Sequence, residues 1–441
     1  MYLLYIDPGT GSMLFAALIG IFSTLLFFFQ KFWIKLKFLL SGGRIKDKSS
    51  EEKLPYVIYS EGKSYWKVFE PVCREFEKRK IECSFLTSDE NDPALQQGYE
   101  YVHCSFIGEG NKGFARLNLL NARVFLATTP GLDVYQWKRS KKVDKYVHIF
   151  HSLDEGTAYR MFGLDFYDSI LLVGDFQERY IRKLEELRGI PAKDLKVVGC
   201  TYMDELLARR EKEKETKEQG EKTILLAPSW GEISVLNRYG AKLIDALLDT
   251  GYRVIIRPHP QSFKSEMDKL EPLMKKYEGK VEWNRDADNF DVLNHSDILI
   301  SEFSSVVFDF AFVFDKPVLC FAGGQADMAP YDAAWIDEEP WKQQVFPKLG
   351  KMITEDDFGR FKELIDELLT STEYQKSRDD LRNASWQNRG HSAEGIVDYL
   401  VAAEEELAKA AAENEEKKDE KKEEKEDKKE DGKESADEDS K

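Results

Sequence analysis

Short apolar runs recur along the chain at lengths that suit strands, and most are followed by stretches of helical period. LPYVIY (54–59), IECSFL (81–86), ARVFLAT (122–128), KYVHIFH (145–151) and DSILLVG (168–174) are brief and rich in β-branched and aromatic residues. Among them, SYWKVFEPVCREFEKRK (64–80) and DFQERYIRKLEEL (175–187) place apolar residues every three or four positions, as amphipathic helices do. One more strand begins at LKVVG (195–199), and a heavily charged helical run carries the chain to residue 222. The alternation then restarts. TILLAPSW (223–230), YRVIIRPHP (252–260), KVEWN (280–284), DILISEF (297–303) and KPVLCF (316–321) read as strands. SVLNRYGAKLIDALLDTG (234–251), SFKSEMDKLEPLMKKYEG (262–279), DNFDVLNHS (288–296) and SSVVFDFAFVF (304–314) read as the intervening helices. Further helices follow from DDFGRFKELIDELL (356–369) onward.

Strands separated by helices predict a parallel sheet covered on both faces. The restart predicts two such doubly wound sheets in series, with a ligand cleft facing the carboxyl ends of their strands. We divide the chain into a membrane anchor and basic linker (1–49), a first α/β domain (50–220), a second α/β domain (221–402) and a charged tail (403–441).

The anchor rests on SMLFAALIGIFSTLLFFF (12–29), an uncharged apolar run that reaches Ile34 with only Gln30 and Lys31 interrupting it. About 20 helical residues cross a hydrocarbon core. The residues before it include Asp7 but no Lys or Arg, and no small-residue cleavage site follows, so a cleaved signal peptide fits less well. Lys31, Lys35, Lys37, Arg44, Lys46 and Lys48 all follow the span, which predicts a single-pass protein with its body on the cytoplasmic face of the cell membrane. The segment KFWIKLKFLL (31–40) has the mixture of aromatic, leucine and lysine residues expected at an interface. At the other end, the tail holds no apolar residue larger than Ala beyond residue 413, and it is expected to be disordered after the helical pattern of SAEGIVDYLVAAEEELAKAAA (392–412) frays.

Composition narrows the function. A net charge of −17, with no basic stripe in the part expected to fold, argues against a nucleic-acid partner. The five cysteines (Cys73, Cys83, Cys104, Cys200 and Cys320) are odd in number, lack a CxxC and lie mostly in apolar surroundings. They read as reduced core thiols rather than a disulfide frame or a zinc site.

The candidate chemistry lies at strand ends of the second domain. In YRVIIRPHPQS (252–262) two prolines end the strand and fix a stiff turn holding Arg257 and His259. At the next strand end, Ser304 and Ser305 stand where a helix begins. Serine there is an ordinary cap, but hydroxyls and free helical N–H groups also suit an anion. Together the two turns offer a guanidinium, an imidazole and a serine pair, a set suited to a diphosphate. The DAD at Asp286 to Asp288 has the form of a metal-binding pair, but its place before a helix favours capping. No P-loop, GxSxG or zinc-ligand spacing is present.

IIRPHP (255–260) followed by SDILISEFSSVVFDFAFVFDKPVL (296–319) resembles the CDP-glycerol glycerophosphotransferases, the family of teichoic-acid primases and polymerases. APSW (227–230), with Trp230, is similar to the family's Ala-Pro-Thr-Trp strand end, and GHSAEGIVDYL (390–400) to its closing helix. The resemblance covers roughly residues 220–400. In the first half, HIFHSLDEG (148–156) resembles the family's Trp-His-Gly turn, with His151 as counterpart of its histidine, Phe150 in place of Trp and Ser152 in place of Gly. Thr201 and Tyr202 replace a Pro and an Arg of the family pattern, and Glu302 replaces the Asp of the serine turn.

The resemblance implies a GT-B fold with the nucleotide donor on the second domain and the acceptor on the first. Arg257, His259, Ser304, Ser305, Glu302 and Trp230 would meet the donor's diphosphate and nucleotide. His151 and His259 would be catalytic, His151 as general base toward an acceptor hydroxyl. His148, on the opposite face of the same strand, ranks below His151. The implied donor is CDP-glycerol or another CDP-alditol such as CDP-ribitol, with CMP released and no cofactor or metal. A lipid-linked acceptor fits the anchor, and a soluble one stays open. Two other readings stay open too: a GT-B glycosyltransferase using a nucleotide sugar, and a non-catalytic relative that binds a nucleotide or scaffolds envelope assembly.

Overall fold

The computed structural model describes residues 53–134, 136–213, 221–286, 288–323 and 329–414. The expected membrane span at 12–29, the basic segment after it and the acidic tail beyond residue 414 lie outside these residues. Among the described residues, no helix is long and apolar enough to cross a membrane.

The first sheet is built from β1 (Leu54–Ser60), β2 (Cys83–Thr87), β3 (Val102–Phe106), β4 (Ala122–Ala127), β5 (Val143–Ile149), β6 (Ser169–Leu172) and β7 (Asp194–Val197). Their order is β3-β2-β1-β4-β5-β6-β7, and every pair is parallel. The second sheet holds β8 (Thr223–Leu226), β9 (Arg253–Ile256), β10 (Glu282–Trp283), β11 (Ile298–Ser301), β12 (Val318–Phe321) and β13 (Lys351–Ile353). Its order, β10-β9-β8-β11-β12-β13, is again all parallel. Each sheet therefore reverses its winding once, beside β1 in the first and beside β8 in the second, and a crevice opens at each reversal.

Strand alternation sorts the core. In the second sheet Ile224, Leu226, Val254, Ile256, Ile298 and Ile300 pack under the helices Val235–Leu248 and Phe361–Thr370. Their alternates Leu225, Ile255 and Leu299 belong to a cluster that continues into Val57, Tyr59, Phe125 and Tyr146 of the first sheet. The two sheets thus share apolar packing, and the described residues cluster as one compact unit.

One pair of elements is absent from the pattern, and one expected helix comes out broken. The strand β3 and the helix Asn111–Leu117 carry no signal in the hydrophobic pattern because β3 is an edge strand: only Val102 is buried, and His103, Ser105 and Phe106 are exposed. The 262–279 stretch is broken into Ser262–Ser265 and Met267–Lys276, because Glu266 leaves helical geometry and its carboxylate accepts from Gly231 N, Asn237 Nδ2 and Ser262 Oγ.

The last helix, residues 392–414, returns to the first sheet. Ile396, Val397, Leu400 and Ala403 pack with Ile58, Val124, Leu126 and Val147, on the side covered by the helix Trp66–Arg79. Its start is fixed by Asp204, whose carboxylate accepts from both the backbone N and the hydroxyl of Ser392. Gly199 lies beneath this junction at φ +96°, and a Cβ there would sit 2.4 Å from Ser392 Oγ and 2.8 Å from Gln387 O. Left-handed backbone costs about 1–2 kcal/mol for a residue with a Cβ, and overpacking adds about 1–3 kcal/mol. Gly199→Ala is expected to lower stability by at least about 2 kcal/mol in chemical denaturation.

Candidate functional site

Because every strand is parallel, the side chains that follow each strand gather at one edge of each sheet. From the first sheet come Glu61 after β1, Thr128 and Thr129 after β4, and His151 with Asp154 after β5. From the second come Ser229 and Trp230 after β8, Arg257 and His259 after β9, and Glu302, Ser304 and Ser305 after β11.

One cavity of about 240 Å³ takes its walls from both sets. His151, Tyr65 and Lys67 line it from the first sheet's side, Arg257, Asp288 and Asn289 from the second, with Tyr202 also in the wall. The two residues singled out from separate halves of the sequence, His151 and Arg257, thus border one space. The Tyr202 hydroxyl donates to Asn289 Oδ1 at 2.8 Å. Asp288 pairs with Lys67 and with Arg209, and its Oδ1 accepts from Phe290 N at 3.0 Å; it stands one residue ahead of the helix Phe290–His295, whose cap position is Asn289. These cations and the backbone bond hold its carboxyl down to about 2 against the upward push of partial burial.

Arg257 is positioned by the strand end: its N–H donates to Leu226 O at 2.8 Å, extending the ladder one residue past β9. Its guanidinium bonds the neutral side chain of Asn284 rather than a carboxylate, so its charge stays available to a ligand anion. His259 follows in the same turn, where its Nδ1 accepts from Gln261 N at 3.1 Å. That bond leaves Nε2 as the protonated, donating nitrogen. Burial lowers the His259 pKa, opposed by Glu266, so the ring is neutral near pH 7. Trp230 stands beside it with ring centroids 6.3 Å apart and is 48% exposed, an open aromatic face next to the two basic side chains.

His151 Nδ1 lies 3.2 Å from Thr128 Oγ1, and Tyr65 meets the imidazole edge-on at 5.4 Å between centroids. When Nδ1–H donates to Thr128, the Nε2 lone pair is the basic site. Burial lowers the His151 pKa, with Asp154 opposing and Lys342 reinforcing the shift. A neutral ring with one free nitrogen is the form a general base needs. His148 is different. It is fully buried, flanked by Phe150, Tyr159 and Tyr167, and lies away from the cavity walls.

The serine turn holds two surprises. Ser305 makes no helix cap. Its hydroxyl accepts from the ammonium of Lys342 at 3.0 Å. Ser304 Oγ makes only a 3.5 Å contact with Val306 N, and the helix it opens is one α turn, Val306–Phe308, followed by a π-helical turn, Asp309–Val313. Glu302 does not face the cleft. It is 1% exposed, and its Oε1 accepts from Ser229 N at 2.8 Å, Ser229 Oγ at 2.5 Å and Val235 N at 3.4 Å. Burial raises its pKa to about 7 against those three donors. Glu302 therefore ties the β8 and β11 turns together from beneath.

Lys67, Lys342 and Asp154 belong to the site and had no signal in the sequence. Lys67 sits in an amphipathic helix and Lys342 in the helix Trp341–Leu349, where each reads as a solvated lysine. A second cavity, about 540 Å³, lies at the ends of β1 to β3 and is lined by Tyr59, Glu61, Ser88, Asp89, Glu109 and Phe114. Its charged lining is wholly acidic. Among the described residues there is no group of three or more His, Cys, Asp or Glu arranged to hold a metal ion.

His148 supplies a test that is independent of ligand. Burial, and next the neighbouring His151, hold its pKa down at about 3, so the fold requires it neutral. An unfolded histidine titrates near about 6.5. The contribution is therefore complete above pH 6.5 and is lost as pH falls, by about 1.4 kcal/mol per unit. Between pH 7.5 and 5.5, wild type is expected to lose about 1.4 kcal/mol more than His148→Gln, measured by urea denaturation.

The family model for CDP-glycerol:poly(glycerophosphate) glycerophosphotransferases matches residues 177–402, just over half of the chain. No curated protein matches the sequence. Among solved structures, the wall teichoic acid polymerase TagF with CDPG is 14% identical, with 86% of this chain and 98% of that one covered at a TM-score of 0.50. A UDP-GlcNAc 2-epimerase from Methanocaldococcus jannaschii, in complex with UDP-GlcNAc and UDP, is 13% identical, with coverage of 80% and 100% and a TM-score of 0.51. A UDP-N-acetylglucosamine 2-epimerase from Rickettsia bellii is 11% identical, with coverage of 81% and 98% and a TM-score of 0.50. At these identities the likeness shows the fold, a GT-B-like pairing of two parallel α/β sheets.

Proposed function

We propose, given that this chain belongs to the CDP-glycerol:poly(glycerophosphate) glycerophosphotransferase family, that it moves glycerol phosphate or a related alditol phosphate from a CDP-linked donor to an acceptor hydroxyl. The product belongs to a cell-envelope polymer. One observation carries the reading: His151 and Arg257, from opposite sheets, border one cavity. A base and a phosphate clamp must face each other across the cleft for this reaction, and a merely structural histidine and arginine have no reason to.

Charge favours this cavity for the donor's diphosphate. A diphosphate is repelled by the carboxylates of the larger cavity and attracted to Arg257, with Lys67 in the same wall. Arg257, His259 Nε2, Ser304 and Ser305 would hold its oxygens, and the open face of Trp230 would take the nucleotide end. His151 Nε2 would accept the acceptor's hydroxyl proton as the oxygen attacks the β-phosphorus. A new O–P bond forms, the bond from that phosphorus to the bridging oxygen breaks, and CMP leaves with the electron pair. Alignment and charge stabilisation would supply most of the acceleration. The apolar run at 12–29 would hold the body at the cytoplasmic face of the membrane, which suits a lipid-linked acceptor.

The donor test uses thermal stability with CDP-glycerol, CDP-ribitol and UDP-N-acetylglucosamine. A ligand that binds only the folded state stabilises it by about 2.7 kcal/mol at a hundred times its dissociation constant. Stabilisation by a CDP-alditol, lost in Arg257→Ala and His259→Ala but kept in His151→Ala, is expected. His151→Ala should lower turnover by about 100-fold or more. Because the His151 pKa is lowered by burial, the acid limb of the wild-type pH–rate profile should fall below pH 6.5. Stabilisation by the nucleotide sugar alone would move the assignment to glycosyl transfer, and stabilisation by none would favour a non-catalytic role. Deleting residues 1–49 is expected to release the protein from the membrane fraction. Retention there would remove the anchor from this account.

A further inference from the structure

The donor turn and the base loop are joined by a buried ion pair that the transfer reaction does not by itself require. Lys342 and Asp154 form a salt bridge with side chains only 13% and 14% exposed. The same ammonium donates to Ser305 Oγ at 3.0 Å. Asp154 is three residues beyond His151, in the loop that leaves β5, and its Oδ1 also accepts from Gly156 N at 2.8 Å. Lys342 is anchored from behind: Trp341 stacks on Phe308 at 5.1 Å and on Phe176 at 4.2 Å, packing the helix against both the α turn Val306–Phe308 and the first sheet's side. Burial disfavours both charges. Even so, each stays ionised, because Asp154 and Glu155 hold the Lys342 pKa up and Lys342 holds the Asp154 pKa down. A pair this enclosed gains little net stability over an apolar one, so its placement between two functional turns calls for another reason.

We propose that Lys342 is a positioning residue that couples donor occupancy to the general-base loop: one ammonium, shared between Ser305 of the donor turn and Asp154 of the His151 loop, registers the two halves of the site. This rests on the donor assignment made above. A diphosphate arriving at Ser304 and Ser305 draws on the ammonium. As the ammonium leans toward the anion, Asp154 is less neutralised and the imidazole of His151 becomes a stronger base. Donor binding thus raises the basicity of the group that must take the acceptor's proton.

The groups facing His151 are Tyr65 and Lys67 from the first helix, Thr128 from β4, His148 from β5, Asp154 from its own loop, Lys342 from the helix Trp341–Leu349, Tyr202, and Arg257 and Asp288 from across the cleft. All but Asp154 and Lys342 stay unchanged in the variants below, so opposite shifts must come from the pair itself.

The test is the titration of the His151 imidazole by NMR in full-length ligand-free protein, wild type, Lys342→Gln, Lys342→Arg, Asp154→Asn and the double variant. Lys342→Gln is expected to raise the His151 pKa, because Asp154 is left unopposed. Asp154→Asn is expected to lower it, because the cation is left unopposed, and the double variant should return toward wild type. Calorimetry with CDP-glycerol should show at least tenfold weaker binding in Lys342→Gln, with Lys342→Arg restoring most of it. Lys342→Arg also keeps the test alive if the neutral variant does not fold. Opposite shifts establish that both charges act on the ring. The coupling itself is read by repeating the titration with CDP-glycerol bound, which should raise the His151 pKa by more in wild type than in Lys342→Gln, whereas a purely structural pair would give equal shifts in the two. Unmoved titrations, or donor affinity within twofold of wild type in Lys342→Gln, would overturn the proposal. If wild type binds no CDP-alditol, the donor assignment fails, while the titrations still report on the bridge.

Discussion

In a sheet whose strands all run the same way, every connection must carry the chain back a full strand length before the next strand can begin. All carboxyl ends then collect along one edge. Here that constraint acts twice. It places the turns after β1, β4 and β5 at the edge of one sheet and those after β8, β9 and β11 at the edge of the other. The apolar cluster shared by the two sheets brings the edges together. Arg257 lies over a hundred positions from His151 in the chain, yet they border one cavity because topology leaves them no other place.

Within that frame the cleft is organised by which charges find partners and which do not. Asp288 is saturated by Lys67, Arg209 and a backbone N–H, and Asp154 by Lys342. Arg257 is steadied by an amide, which fixes its geometry without cancelling its charge. Glu302 shows the opposite use of a carboxylate. Buried among hydroxyl and backbone donors, it sets the distance between two turns and presents nothing to the ligand.

Much of the architecture is legible in the sequence because buried parallel strands are short and apolar and their covering helices are amphipathic. The strand end at Ile256 and the turn holding Arg257 and His259 follow directly from that pattern, and the turn holding Ser304 and Ser305 follows with its strand ending two residues earlier than the pattern suggests. Three things were not legible. The edge strand β3 has too little buried surface to leave a periodic trace. The return of residues 392–414 to the first sheet cannot be read from an amphipathic stripe, which says that a face is covered but not by what. Lys67, Lys342 and Asp154 look like ordinary charged residues because their importance comes from partners far away in the chain. The family resemblance implies Glu302 among the ligand contacts, as the counterpart of the Asp in the serine turn. It lies buried instead, where Ser229 and the backbone N–H of Val235 bond its carboxylate.

The returning helix also orders events in time. Ile58, Val124 and Leu126 need Ile396 and Leu400 as neighbours, and those residues leave the ribosome some 270 positions after Leu126. At about 5–20 residues per second, one face of the first sheet waits tens of seconds for its cover. During synthesis the second sheet can complete its own core before the first has closed. The nascent chain therefore passes through a stage in which its earlier half is the less finished one, with an apolar stripe open to whatever holds it soluble.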